Sequence, residues 1–190
     1  MDTHQALVTL LAERSAKHGR FVLSSGRVSD LYIDARLTTM SPEGLQLIGL
    51  LGLETIRASF GNEAQSIGGM TLGADPIAYA IAYASASTPH PLRAFTVRKE
   101  AKGHGTGRQV EGPFQSGDQV VVVEDVITTG ASALKAVEVL RQHSAKVLGV
   151  LALVDREEGG RQVLEDAGLV VHVLVQAAEL IRYSQPQPTL

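Results

Sequence analysis

The sequence predicts an α/β fold, a mainly parallel sheet flanked by helices, and three observations carry that expectation. Apolar runs of strand length recur near Gln65, Leu92, Val120, Ala145 and Leu169. Helical or capped segments alternate with them along the chain, as parallel sheets with helices on both faces require. The central run, VVVV at 120–123, has no polar alternation, which suits a strand buried on both faces.

The elements follow in order. Leu7, Leu10, Leu11 and Arg14 at helical spacing predict a first helix over Thr3–Lys17. Phe21–Leu37 reads as two short strands around Ser24-Ser25-Gly26. Ser41-Pro42-Glu43 supplies an N-cap, a first-turn proline and a first-turn acid for a helix to about Phe60. A strand at Gln65–Ile67 ends in Gly68-Gly69, and a turn runs on through Gly73. Asp75-Pro76 reads as the capped start of a helix over Ile77–Ser85, followed by a strand at Leu92–Arg98. Lys99–Gly117 lacks apolar periodicity and reads as one long loop. The Val120 strand leads into a helix to about His143, and a buried strand occupies Ala145–Arg156. A helix at Gly160–Ala167, a strand at Leu169–Val175, a short helix and a loose tail from Gln185 complete the chain. Right-handed crossovers bring Gly68-Gly69, Arg98, Asp125 and Arg156 to one rim. Neither an internal repeat nor a second domain is visible, so a single domain over 1–190 is expected.

Composition narrows the function class. Hydrophobic residues at 44% and charged residues at 19% are ordinary for a globular protein. The absence of cysteine excludes disulfides and thiolate metal sites. The first twenty residues carry Asp2 and Glu13 in place of a signal-peptide block, and no apolar run reaches membrane-spanning length. A cytoplasmic protein without membrane contacts is expected. The net charge of −3 argues against a nucleic-acid binder. Its distribution says more: four cations and one anion between Arg98 and Arg108 give a local +3, leaving −6 elsewhere. A basic island on an acidic chain suits a small polyanionic ligand.

The segment VVVVEDVITTGAS (Val120–Ser132) concentrates the chemistry. Glu124 and Asp125 fall at the carboxyl end of the strand, where open α/β sheets bind ligands. As ionised acceptors they suit two sugar hydroxyls, and the bland alternative is a pair of solvated acids. Thr128, Thr129, Gly130, Ala131 and Ser132 open the next helix with free N–H groups and hydroxyls, a seat for a phosphate or simply a capped helix start. Together they point to a phosphorylated sugar. The Gly-x-x-x-x-Gly-Lys-Ser/Thr spacing of nucleotide hydrolases does not occur. In RKEAKGHGTGR (Arg98–Arg108), Arg98, Lys99, Lys102 and His104 belong either to a lid over a polyphosphate or to a solvated charged loop. Arg156 sits past a buried strand, as a forked partner for a carboxylate ligand or an ion pair with Asp155 or Glu157; Arg27 is similarly open. The histidines at 4, 18, 90, 143 and 172 lack metal-ligand spacing.

The stretches FVLSSGRVSDLYID, VRKEAKGHGTG, VVVVEDVITTGAS and LVDREEG, in this order over nearly the whole chain, resemble the orotate phosphoribosyltransferases of the type I phosphoribosyltransferase family. The resemblance implies that family's fold, with an N-terminal hood of helix and short strands over residues 1–40 and a flexible catalytic loop over 99–117. It implies transfer of the 5-phosphoribosyl group from phosphoribosyl pyrophosphate (PRPP) to orotate, giving orotidine 5′-monophosphate and pyrophosphate in pyrimidine biosynthesis. Glu124 and Asp125 would hold the ribose hydroxyls, and Val126, Ile127, Thr128, Thr129, Gly130, Ala131 and Ser132 the 5′-phosphate. Arg98, Lys99, Lys102 and His104 would contact pyrophosphate, with Lys102, His104 and Asp125 counted as catalytic. Thr128 and Arg156 would contact orotate, and Thr71-Leu72-Gly73 would form a turn behind the pyrophosphate. Mg²⁺ would arrive on PRPP without direct protein ligands, and a homodimer would share the loop between subunits. One branch of the family carries lysines where Ser24 and Gly73 stand here, so side-chain contacts from those two positions are not expected. The rival readings are a purine or uracil salvage phosphoribosyltransferase and a PRPP-sensing regulator.

Overall fold

The computed structural model describes residues 2–22, 28–100 and 108–184. The chain opens with helix α1 (Thr3–Arg14), capped by the Asp2 carboxylate, which accepts from Gln5 N–H at 2.7 Å. Strands β1 (Ala16–Val22) and β2 (Val28–Ile33) pair antiparallel as a separate two-stranded sheet, and a single turn, α2 (Arg36–Thr39), follows. Helix α3 (Pro42–Phe60) starts as expected, with Ser41 Oγ accepting from Gly44 N–H at 3.1 Å. Then come β3 (Ser66–Met70), α4 (Ala74–Ser85), β4 (Arg93–Val97), β5 (Val110–Glu111), β6 (Gln119–Ile127), α5 (Ala131–Gln142), β7 (Lys146–Asp155), α6 (Gly160–Asp166), β8 (Val171–Gln176) and α7 (Ala177–Ser184).

The main sheet has the order β5-β4-β3-β6-β7-β8. Every neighbouring pair is parallel except the edge pair β4–β5. Its central strand explains the valine run. Val121 and Val123 face one core with Leu11, Ile48, Ile56 and Ile77, whereas Val120 and Val122 face the other with Ala133, Val137 and Leu140. All four are fully buried, and each contributes about 1.5–3 kcal/mol relative to an exposed side chain. Alternation along a strand therefore feeds two helix layers from four identical residues.

The structure redraws several expected boundaries. The first helix stops at Arg14, and Ala16-Lys17 begin β1. Ser15 is taken by tertiary bonds, its Oγ 2.7 Å from Thr38 Oγ1 and its carbonyl accepting from Asp34 N–H at 3.0 Å. Gly68-Gly69 lie inside β3 and do not end it. A Cβ on either would come within 2.0 Å of a neighbouring strand's carbonyl oxygen, so a glycine pair that reads as a turn is here a close strand contact. Helix α4 begins at Ala74, and Asp75 is no cap: it is buried in the first turn, accepting from the hydroxyls of Thr71 at 2.7 Å and Thr96 at 2.8 Å. The segment read as one loop from Lys99 to Gly117 contains β5, held by Arg98 N–H donating to Gln109 O at 2.9 Å. β6 runs two residues past Glu124-Asp125, because its ladder with β7 continues to the pair Ile127–Asp155.

Candidate active site

Because β3, β4, β6 and β7 run in one direction, their carboxyl ends share a rim, and a cleft of about 390 Å³ opens there. β6 and the turn after it supply Glu124, Asp125, Val126, Thr128 and Ser132. The turn after β3 supplies Thr71, Leu72 and Gly73, and Lys99 follows β4. Tyr32, Asp34 and Arg36 close the cleft from the hairpin side, and Arg156 from the end of β7.

The sequence-predicted residues divide into those the fold brings together and those it does not. Glu124, Asp125, Val126, Thr128, Ser132, Lys99 and Arg156 share the cleft. Ile127 is buried in the core beneath it, and Gly130 is buried as the N-cap of α5 at φ 77°, a left-handed conformation that favours glycine. Thr129 and Ala131 are exposed at the helix start, where Ala131 N–H donates to Thr129 Oγ1 at 3.4 Å. Arg98 lies in a neighbouring depression with Asp75, Thr96 and Glu111; its Nε is buried with no hydrogen-bond partner among the described residues, and a guanidinium nitrogen sits 3.8 Å from Glu111. Lys102 and His104, like Ser24 and Arg27, fall outside the described residues.

Arg156 resolves differently from either partner considered above. Its side chain is only 6% exposed, with Nη2 2.9 Å from Glu158 and donating to Leu31 O at 2.8 Å, so the acid beside it is Glu158. Asp155 instead accepts from Glu157 N–H at 2.8 Å. Arg156 thus straps the hairpin to the main sheet while facing the cleft.

The charges of the cleft are also set by the fold. Burial, then the neighbouring Asp125, pushes the Glu124 carboxyl up to about 8. Burial also raises Asp125, against the opposing pull of Val126 N–H, which it accepts at 2.8 Å, and of the Arg36 charge. Burial thus favours the protonated form of Glu124 in the free protein. A protonated carboxyl both donates and accepts, so Glu124 can pair with a sugar hydroxyl in either charge state. Asp34 moves the other way, held below the usual carboxylate range by its fork with Arg36, at 2.8 and 3.0 Å. Gly73 abuts the Asp125 carboxylate so closely that a Cβ there would lie 2.3 Å from Oδ2.

Asp34 and Arg36 were missed by the sequence reading. The only signal was an acid and an arginine two apart after a strand, in YIDAR, a spacing that becomes a fork only because α2 turns there.

Comparisons with known proteins add to this geometry. Residues 56–174 match the model of the phosphoribosyl transferase domain. Orotate phosphoribosyltransferase of Aquifex aeolicus is 47% identical over 184 residues, covering 95% of this chain and 99% of the relative. The chain belongs to the orotate phosphoribosyltransferase family. A family member from Pyrococcus furiosus is 42% identical over 171 residues, covering 90% of this chain and 91% of its own. The crystal structure of the Mycobacterium tuberculosis orotate phosphoribosyltransferase in complex with PRPP superposes with a TM-score of 0.78 at 36% identity, over 94% of this chain and 99% of that one. The mainly parallel sheet is thus that of the orotate phosphoribosyltransferases.

Proposed function

We propose that this chain transfers the 5-phosphoribosyl group from PRPP to orotate, yielding orotidine 5′-monophosphate and pyrophosphate in pyrimidine biosynthesis. The observation that carries the reading is the meeting of Glu124, Asp125 and the start of α5 in one cleft, in a chain of this family. Thr128–Ser132 seat the 5′-phosphate at a helix N-terminus, Glu124 and Asp125 hold the ribose hydroxyls, and Thr128 and Arg156 face orotate.

Charge accumulates on the departing pyrophosphate as the anomeric carbon takes on oxocarbenium character, so stabilising that charge is the main demand. Arg98, Lys99 and Lys102 meet it, and Lys102 or His104 gives a proton to the leaving group. Among the described residues no three His, Asp or Glu side chains converge as a metal site. Hard oxygen donors beside a polyphosphate cleft fit Mg²⁺ arriving on PRPP, and Asp125, with Glu124 once it gives up its proton, would face it from the protein side. Bound there, Mg²⁺ would neutralise charge on the diphosphate.

The reading includes one domain over 1–190, a cytoplasmic location and a homodimer in which the 99–117 loop serves the other subunit's site. Support for the dimer comes from a groove of about 450 Å³ between α3 and α4, lined by Leu45, Leu50, Tyr79 and Tyr83, with the last three exposed. Such a contiguous apolar face fits a second copy of the chain.

The test is orotate consumption with PRPP and Mg²⁺, alongside uracil, adenine, guanine and hypoxanthine. Orotate turnover that requires both PRPP and Mg²⁺ is expected. Turnover with a purine or uracil alone would overturn the acceptor and favour a salvage enzyme.

A further inference from the structure

We propose that Arg36 binds the diphosphate end of the donor, held ready for it by Asp34; this rests on the phosphoribosyl transfer proposed above. The direction of the ligand in the cleft supplies the first argument. If the 5-phosphate sits at the start of α5 and the ribose hydroxyls on Glu124 and Asp125, the anomeric substituent falls beyond Asp125 from α5, and Gly73 abuts that carboxylate. Arg36 lines the same cleft, close enough for its charge to bear on Asp125.

The second argument is the supply of cations. The turn after β3 cannot bring one next to Asp125, because Gly73 leaves no room for even a Cβ against that carboxylate. Arg156 is buried and engaged with Leu31 O and Glu158. Arg36 is half-exposed, and its charge bears on Asp125. Its Nε and Nη2 are fixed by Asp34 at 2.8 and 3.0 Å, leaving Nη1 without a partner among the described residues. A guanidinium already oriented by a fork loses little freedom when a phosphate oxygen reaches it, and guanidinium geometry suits phosphate oxygens. Arg36 is thereby a specificity-determining cation for diphosphate, contributed by the hairpin side and not by the basic loop.

The experiment compares wild type with Arg36→Gln and Arg36→Lys by calorimetric titration with inorganic pyrophosphate plus Mg²⁺, ribose 5-phosphate, and orotate. Arg36→Gln should weaken pyrophosphate binding at least tenfold and raise the KM for PRPP similarly, with ribose 5-phosphate and orotate within twofold. Arg36→Lys should recover part of the loss. Unchanged pyrophosphate affinity in Arg36→Gln would reduce the Asp34–Arg36 pair to a surface ion pair and overturn the proposal. A loss confined to orotate would overturn it in favour of the acceptor's carboxylate. Failure of the wild type to bind pyrophosphate or ribose 5-phosphate would instead sink the phosphoribosyl reading itself.

Discussion

Replacing Glu124 with glutamine tests the electrostatics of the cleft without touching its shape. The carboxyl titrates near 4.5 when unfolded and at about 8 in the fold, so the native state binds more protons between those values. Stability attributable to this group must therefore fall as pH rises from 4.5 to 8, be undiminished below that window, and be fully lost above it. At about 1.36 kcal/mol per pKa unit, the ceiling is about 5 kcal/mol above pH 9 and about 3 kcal/mol at pH 7. The side chain lines an open cleft, and solvent relaxation there halves the figure to roughly 2 kcal/mol at alkaline pH. For a chain of this length that is about 4–8 °C in Tm. Glu124→Gln, neutral at every pH, should melt within about a degree of wild type at pH 5 and above it by that margin at pH 8.5. Differential scanning calorimetry of the free protein at the two pH values reads the difference directly. An equal Tm gain at both pH values, or none at pH 8.5, would refute the assignment of a buried, protonated carboxyl at this position.

Three further outcomes are expected. Lys102→Ala should lower turnover by about 10²–10⁴ with an unchanged melting curve, since it removes charge and proton supply at the leaving group; near-normal rates would take Lys102 out of the mechanism. If the loop serves the other subunit, Lys102→Ala and Asp125→Asn chains dissociated and remixed should regain about a quarter of wild-type activity, because half the dimers are mixed and each has one intact site; a loop acting within its own subunit would regain none. Gly73→Ala forces its Cβ against Asp125 Oδ2, so it should cost about 1–3 kcal/mol by thermal melting and raise the KM for PRPP, because a shift of the Asp125 carboxylate strains its bond to Val126 N–H.

What the sequence disclosed and what it concealed follow from the range of the interactions involved. The valine run, the Ser41-Pro42-Glu43 cap and the glycine-started helix after Thr129 are written in neighbours a few positions apart, so the strand and both helix starts were legible. The Glu124-Asp125 pair was legible as chemistry but not as charge state, because the proton on Glu124 depends on burial supplied by distant elements. The errors share that cause. Gly68-Gly69 reads as a break until the carbonyls of Phe95 and Val123 are pressed against it. Asp75 reads as a cap until Thr96, twenty-one positions away, turns its hydroxyl onto it. Arg156 reads as pairing with Asp155 or Glu157, if with any acid of the chain, and its bond to Leu31 O, 125 positions away, has no local signal. That last contact joins the hairpin to the sheet across the cleft. The hairpin side that Arg156 fastens is also the side that carries Asp34 and Arg36. On the proposed function, Arg156 would therefore act on the donor's diphosphate end through position as well as on the acceptor through contact. Its loss should disturb PRPP and orotate binding together, whereas loss of Arg36 should disturb PRPP alone.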